Sequence, residues 1–206
     1  MDIAALNQEF EGKSPQQIIT RALGLPGKAI IPTHFGPLEA VILHMACQVK
    51  PDIQVVWVDH GYNTKATYRC AEEIIRKLVL NVDVFTPKVS AARQDAALGG
   101  IPMYTEDSHA AFTEHFKLEP FRRAMATHSP DIWLTALRKE QTEFRQSLQV
   151  FTQDNKGVLK VAPLFHWSEA QMRDYLAEHE LPNEDSYYDP TKALENRECG
   201  LHTSTL

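Results

Sequence analysis

Five short apolar runs are spaced along the chain, and they predict the strands of a sheet. The runs lie at 29–31 (AII), 53–58 (IQVVWV), 82–85 (VDVF), 131–137 (DIWLTAL) and 158–164 (VLKVAPL). They are largely apolar rather than alternating, which is typical of strands that helices cover on both faces. The pattern therefore predicts a parallel sheet.

Segments with helical features lie between these strands. Ser14, Pro15 and Gln17 form a helix start, because a hydroxyl cap is followed by an early proline and by a glutamine that can reach back to the cap; Gly24 then ends this helix. Further helices are predicted at 38–49, at 67–79 and from Ser168 through roughly Glu178. Strands that alternate with helices predict an α/β fold, a parallel sheet with helices on both faces.

The chain has 206 residues, 43% of them hydrophobic, which is enough for one substantial core. No segment resembles a linker between domains. Residues 183–206 contain proline, acidic residues and tyrosine without a sustained period. We therefore predict one α/β domain over 1–182 and a flexible C-terminal tail over 183–206.

The formal net charge of −6 argues against binding to nucleic acid, since no basic field is available to hold a phosphate backbone. A small anionic ligand remains compatible with this charge, because a few arginines in a cleft can bind phosphates. The three cysteines, Cys47, Cys70 and Cys199, are too few for a disulfide framework, which favours a reducing compartment. With no signal peptide and no apolar stretch of about 18 residues, we expect a cytoplasmic protein that does not contact membranes.

Three polar clusters follow predicted strands, where ligands bind in open parallel sheets. The segment 33–37 (THFGP) joins a strand to a helix N-terminus and could bind an anion, or could simply be a turn that needs glycine and proline. In the segment 59–62 (DHGY), Asp59 could accept a hydrogen bond from a ribose hydroxyl or cap the next helix. The segment 138–145 (RKEQTEFR) could bind phosphate or sulfate through its cations, or be a solvated turn.

Cys199 lies close to the end of the chain, with Arg197 and His202 near enough in sequence to favour its thiolate form. The Cys199-x-x-His202 spacing is half of a zinc site, and no second half is present in the sequence, so no metal is expected. Read without further context, a cysteine on a tail is more often incidental than catalytic.

The sequence ECGLH at 198–202 resembles the signature of the sulfonucleotide reductases, in particular the phosphoadenylyl-sulfate (PAPS) reductases. The resemblance covers most of the chain. It includes THFGPLEAVILHM at 33–45, VDHGY at 58–62 followed by TY at 67–68, KLEPFRRAM at 117–125, LRKEQTEFR at 137–145 and KVAPLFHW at 160–167.

This resemblance implies an adenine nucleotide α-hydrolase-like fold with a nucleotide-binding domain over 1–182. It also implies that Cys199 attacks the sulfate sulfur of PAPS, which leaves an S-sulfocysteine and adenosine 3′,5′-bisphosphate. Thioredoxin or glutaredoxin would then release sulfite, with no bound cofactor, as a step of assimilatory sulfate reduction. A homodimer is implied as well.

The resemblance assigns roles to residues of all these segments. Cys199 is the nucleophile, and His202 and Arg197 orient the tail or stabilise charge. The residues implied to bind substrate are Thr33, His34, Phe35, Gly36, Asp59, Tyr62, Arg138, Lys139, Gln141 and Arg145.

Two departures leave alternatives open. The chain lacks the cysteine pairs that hold an iron–sulfur cluster in reductases of adenylyl sulfate, which favours PAPS, although cluster-free enzymes for adenylyl sulfate also exist in the family. The chain also lacks the Gly-Asp-x-His-Ser/Thr stretch that usually precedes ECGLH in the family. The alternatives are therefore a cluster-free adenylyl-sulfate reductase and a sulfonucleotide-binding module without turnover.

Overall fold

The computed structural model describes residues 2–192, and six strands in this part of the chain form one sheet in the order β3-β2-β1-β4-β6-β5. The strands are β1 (Ala29–Thr33), β2 (Gln54–Val58), β3 (Asn81–Phe85), β4 (Ile132–Leu134), β5 (Phe151–Gln153) and β6 (Leu159–Val161). All neighbouring pairs are parallel except β5 and β6, which are antiparallel.

The order of the strands places a topological switch point beside β1. Strand β1 pairs with β2 on one side, with Thr33 opposite Trp57, and with β4 on the other, with Ile30 opposite Trp133. The chain leaves β1 towards β2 and returns later to β4, so the loops that follow these strands diverge. In open sheets of this kind a crevice for ligands forms at this point.

Helices cover the sheet on both faces. Their bounds are α1 (Ile3–Glu9), α2 (Pro15–Leu23), α3 (Ala40–Val49), α4 (Lys65–Leu78), α5 (Ala91–Ala97), α6 (Ser108–Thr113), α7 (Glu119–His128), α8 (Glu143–Gln146) and α9 (Glu169–Glu178). A π-helical segment, Glu114–Leu118, joins α6 to α7, and a 3-10 turn, Lys139–Gln141, precedes α8.

Burial of successive residues explains why the central strands lack polar alternation. Ile31 lies in a large core with α2, α3, α4 and α9, whereas Ile30 packs on the opposite face against Ala124 of α7. Both isoleucines are 1% exposed. Each such side chain contributes roughly 1.5–3 kcal/mol by leaving water, so both sets of helices are needed to bury the sheet.

The two helix starts predicted from capping residues are confirmed, whereas the helices predicted from 38 and from 67 begin at Ala40 and Lys65. Ser14 and Gln17 form a reciprocal capping box at α2, and Ser168 and Gln171 form another at α9. Gly24 is the C-terminal cap of α2, as expected.

Several predicted bounds are wrong. The run at 131–137 yields only the three residues of β4, because the chain turns away after Leu134 to line a cleft. The run at 158–164 ends as a strand at Val161, shortly before Pro163, which has no N–H to donate. Strand β3 is an exposed edge, with Val84 51% exposed, rather than a strand buried on both faces.

The first ten residues of the predicted tail pack against the domain. Asn183 Oδ1 accepts a hydrogen bond from the backbone N–H of Leu38 (2.8 Å), and Asp189 and Thr191 are buried. We call residues 183–192 the docked segment. The rest of the predicted tail, 193–206, lies outside the described residues.

Candidate active site

A cleft of about 360 Å³ opens at the carboxyl ends of β1, β2 and β4. Its walls are the loop after β1, the segment that follows β4, the π-helical segment and the docked segment. Apolar side chains that include Val58, Phe121 and Trp133 also line it. A cleft that combines apolar surface with a few converging polar groups is the usual form of a small-molecule site.

Thr33 and His34 line this cleft, and both are held by Glu39 at the start of α3. Glu39 Oε2 accepts hydrogen bonds from Thr33 Oγ1 (2.6 Å), from the backbone N–H of His34 (3.1 Å) and from that of Gly36 (3.2 Å). His34 Nδ1 lies 2.9 Å from Glu39 Oε1. The carboxylate thus occupies the backbone donors that the sequence suggested for an anionic ligand.

The electrostatics of the loop agree with this geometry. Burial raises the pKa of Glu39, but the charge and hydrogen bond of His34 and the donor from Thr33 outweigh burial, so the pKa lies below its ordinary value. Glu39 is therefore an ionised, internal anion at neutral pH.

Phe35 and Gly36 shape this loop without lining the cleft. The Phe35 ring packs edge-on against Trp57 in the core, with ring centroids 4.9 Å apart. The positive φ angles of the turn belong to Phe35 (52°) and Leu38 (68°). At Gly36, a Cβ would lie 2.5 Å from His34 Nε2, so a larger residue there would require the His34 ring to move.

Asp59 and Tyr62 also lie outside the lining of the cleft. Asp59 Oδ1 accepts hydrogen bonds from Tyr68 Oη (2.8 Å) and from the backbone N–H of Gly61 (2.9 Å). Tyr62 Oη donates to Asp95 Oδ1 (2.9 Å), and burial together with this carboxylate raises the pKa of Tyr62 above its ordinary value. Both side chains hold the loop after β2 to neighbouring helices.

The basic segment after β4 contributes Arg138, Gln141 and Arg145 to the cleft. Arg138 is only 5% exposed and pairs with Glu140, and Gln141 Oε1 accepts from both the Arg138 backbone N–H (2.9 Å) and the Arg145 guanidinium. Lys139 is exposed and does not line the cleft. The Gln141 amide thus joins the Arg138 backbone to the Arg145 guanidinium at one wall, while Glu140 holds the Arg138 guanidinium.

Lys117 was not singled out from the sequence, although it begins the KLEPFRRAM segment. It lies at the cleft and forms a buried ion pair with Asp189 of the docked segment, whose carboxylate also accepts from Thr191 Oγ1 (2.6 Å). Burial raises the pKa of Asp189, but Lys117 and Thr191 lower it far more, so this carboxylate is ionised.

His60 was also missed as a site residue. It is 3% exposed and lines the cleft, and its Nδ1 accepts a hydrogen bond from the backbone N–H of Tyr62 (3.0 Å). The segment 59–62 was a candidate cluster, but the sequence favoured Asp59 and Tyr62, and only burial distinguishes His60 from them.

The lining of the cleft has a positive charge balance. It includes five lysine and arginine side chains against three carboxylates, whereas the chain as a whole has a formal charge of −6. The cations are Lys117, Arg138, Arg145, Arg173 and Lys192. Because the chain concentrates positive charge here against its mean, the cleft suits an anionic ligand.

The two cysteines that the structure describes are poor nucleophiles. Cys47 and Cys70 lie in helices outside the lining of the cleft. Burial raises the pKa of Cys47, and burial with the charges of Glu73 and Glu184 raises that of Cys70 to about 11. Cys199, His202 and Arg197 lie outside the described residues.

Over residues 2–192, no group of three or more histidine, cysteine, aspartate or glutamate side chains is arranged to hold a metal ion. The helices of the same part of the chain include none that is long and apolar enough to cross a membrane.

Comparison with known sequences decides the family. The model of the phosphoadenosine phosphosulfate reductase domain matches residues 28–189. The chain belongs to the phosphoadenosine phosphosulfate reductase family. The match includes β1 to β6, every residue of the cleft lining except Lys192, and most of the docked segment.

Relatives in this family resemble the chain over most of its length. It is 35% identical to a phosphoadenosine 5′-phosphosulfate reductase of Synechocystis sp., over 88% of this chain and 74% of the relative. It is 32% identical to the reductase of the same name from Serratia proteamaculans, over 98% of this chain and 92% of that one.

A solved structure shows the same fold. The phosphoadenylyl-sulfate (PAPS) reductase of Candida auris, in a phosphate complex, is similar with a TM-score of 0.76 and 25% identity, over 88% of this chain and 87% of that one. The fold and the family expected from ECGLH are confirmed. The roles expected for individual residues of the phosphosulfate reductase site stay predictions.

Proposed function

We propose that this protein reduces PAPS to sulfite and adenosine 3′,5′-bisphosphate with electrons from thioredoxin or glutaredoxin. The observation that supports this reaction best is the cleft itself, whose lining is cationic in an acidic chain of the phosphosulfate reductase family. PAPS carries several negative charges on its sulfate and phosphates, and guanidinium groups match such oxygens in pairs of hydrogen bonds.

Charge placement suggests where the anionic part of the substrate lies. Glu39 already fills the backbone donors of the loop after β1, and its carboxylate would repel a phosphate there. The lining offers cations instead, namely Arg138, which pairs with Glu140, Arg145, and Lys117, which pairs with Asp189. The phosphates and the sulfate are therefore assigned to these three side chains, with Lys192 at the docked segment as a fourth.

The thiol of the reaction is assigned to Cys199. Cys47 and Cys70 have raised pKa values and lie away from the cleft. Cys199 follows Lys192, a residue of the cleft lining, by seven positions. Seven residues of extended chain span at most about 25 Å, so the connection is long enough for the sulfur to meet a nucleotide in the cleft.

The chemistry proceeds in two displacements. The Cys199 thiolate attacks the sulfate sulfur of PAPS, the bond from this sulfur to the phosphate oxygen breaks, and adenosine 3′,5′-bisphosphate leaves with the electron pair. A thiolate of the reductant then attacks Cys199 Sγ, and sulfite leaves with the S–S bonding electrons. The second thiol of the reductant resolves the mixed disulfide, so the dithiol supplies both electrons. Cations near the leaving phosphate stabilise its growing charge.

Intact-protein mass spectrometry after incubation with PAPS tests this proposal. The wild type should gain the mass of one SO3 group, Cys47→Ser should gain it equally, and Cys199→Ser should not. Sulfite formation with thioredoxin should fall at least ~1000-fold in Cys199→Ser, as expected when a nucleophile is removed. Sulfite release by Cys199→Ser at the wild-type rate would disprove the assignment, and a higher kcat/KM for adenylyl sulfate than for PAPS would disprove the substrate.

A further inference from the structure

His60 carries a buried hydrogen-bond donor that has no acceptor within residues 2–192. The backbone N–H of Tyr62 donates to His60 Nδ1 (3.0 Å), so Nδ1 is an acceptor and the ring proton lies on Nε2. Nε2 is buried, and residues 2–192 provide no hydrogen-bond partner for it. The ring is 3% exposed and belongs to the lining of the cleft.

Such a group is unusual, because native structures satisfy nearly all buried donors and a lone buried donor is destabilising. Such a group calls for an explanation, and a ligand can supply the missing partner where the group lines a cleft, as His60 does. The proposed function so far uses only charged groups at the cleft, and no hydrogen bond within the described part of the chain uses the Nε2 proton. The geometry therefore favours a ligand atom as its partner.

The surroundings keep this donor neutral. Burial lowers the pKa of His60 to about 4, with opposing effects of Asp189, which raises it, and Lys117, which lowers it. The charges of Asp59 and His34 act more weakly. At neutral pH the ring therefore offers a directional hydrogen-bond donor to the cleft and adds no charge. In this it differs from the arginine and lysine side chains.

We propose that His60 Nε2–H donates a hydrogen bond to an acceptor atom of the sulfonucleotide bound in the cleft and so fixes the position of this substrate. The inference rests on the proposed function. His60 binds the substrate and takes no proton from it, since Nδ1 is engaged by Tyr62 and Nε2 already carries a proton.

The test uses two variants of His60 in a Cys199→Ser background, in which PAPS can bind without turnover. His60→Leu removes the donor and keeps an apolar side chain, whereas His60→Gln places an amide N–H near the position of Nε2. Calorimetric titration with PAPS should show about tenfold weaker binding for His60→Leu, which is the loss of roughly one good hydrogen bond. His60→Gln should bind within about threefold of the parent.

Thermal unfolding without ligand separates this role from a structural one. His60→Leu removes the Nε2 donor, which has no partner in residues 2–192, but also the Nδ1 acceptor of the Tyr62 N–H, so its Tm should fall by no more than the loss of one hydrogen bond. A histidine needed for packing would lower the Tm of both the Leu and the Gln variant by more than this. The matched control is His128→Leu, whose ring pairs with Asp83 (3.1 Å) outside the cleft lining and whose loss should leave PAPS affinity unchanged.

The outcomes are distinct. Equal PAPS affinity in the parent and in His60→Leu would overturn the inference and leave the proposed function intact. Weak binding in His60→Leu that His60→Gln does not restore, together with a larger fall in Tm than the loss of one hydrogen bond explains, would also overturn it. Failure of the Cys199→Ser parent to bind PAPS would overturn the proposed function and the inference with it.

Discussion

Glu39 determines that the negative charge of a ligand binds away from the loop after β1. Its carboxylate accepts from Thr33 Oγ1 and from the backbone N–H groups of His34 and Gly36, which are the donors at the end of β1. The backbone N–H donors of this strand-to-helix loop are therefore already bound to a carboxylate of the chain itself. Ligand phosphates are left to the cations of the other walls.

Replacing Glu39 should cost stability and create an anion site. In Glu39→Ala the three donors lose their acceptor, so the free energy of unfolding should fall by about 1–3 kcal/mol in urea titrations. The freed N–H groups should then bind inorganic phosphate, which would raise the Tm of this variant more than that of the wild type.

Glu11→Ala is the matched control, because Glu11 is exposed in the turn after α1. This control should change stability by less than about 0.5 kcal/mol. If Glu39→Ala and Glu11→Ala were equally stable, the carboxylate would not be holding the loop.

At the scale of elements, the docked segment completes the cleft. The Tyr187 ring lies against His34, with centroids 4.8 Å apart, and the carbonyl oxygen of Pro190 lies 3.3 Å from His109 Nε2. Asp189 pairs with Lys117 between these two contacts. The segment thus links the loop after β1 to α6 and ends at Lys192 in the cleft lining.

The Asp189–Lys117 pair should anchor this segment. Asp189→Asn leaves the lysine without its carboxylate in a largely buried place, where the loss of one partner costs about 3 kcal/mol. We expect this loss in urea unfolding, together with faster proteolytic cleavage within 183–192.

Asp185→Asn is a control within the same segment. Asp185 pairs with Arg173 at the surface, where its side chain is 61% exposed, and such pairs contribute at most about 1 kcal/mol. Equal stability and equal cleavage rates in the two variants would show that the buried pair does not anchor the segment.

The strands that are buried on both faces could be predicted from the sequence. β1 and β2 were predicted because Ile30, Ile31, Val55 and Val56 are all apolar and all buried. The three residues of β5 were missed, since an antiparallel edge of this length has no period to detect. The helices between β3 and β4 were also missed. The apolar pair Phe112 and Phe116, whose rings stack, is spaced by about one helical turn, which is too short a pattern to predict a helix.

The same limit applies to the site. Arg138 and Arg145 were predicted because they follow a strand in one basic segment. Lys117 and His60 stood in named segments, but their roles could not be predicted, because the partner of Lys117, Asp189, and the burial of His60 come from the fold. Local pattern detects charge that is concentrated in one segment, and it misses groups that only the fold brings together.

At the scale of the whole molecule, the protein carries negative charge outside and a cationic cleft. Its net charge is −6, yet cations outnumber carboxylates in the lining. This arrangement directs anions to the cleft and keeps them from the rest of the surface. One titratable group of this lining, His60, is buried.

Acid should therefore unfold the protein partly through His60. Its pKa is about 4 in the folded chain, below the ordinary 6.5, so between these values the unfolded chain binds the proton more readily. Stability from this group is complete above pH 6.5 and falls as pH drops towards 4, by up to about 3 kcal/mol.

The measurement compares proteins that share every charged group facing the ring, which are Asp189, Asp59, Lys117 and His34. Urea titrations from pH 7.5 to 4.5 should show a steeper loss for the wild type than for His60→Leu, with the exposed His166→Leu following the wild type. Parallel profiles for wild type and His60→Leu would mean that His60 is not held neutral by the fold.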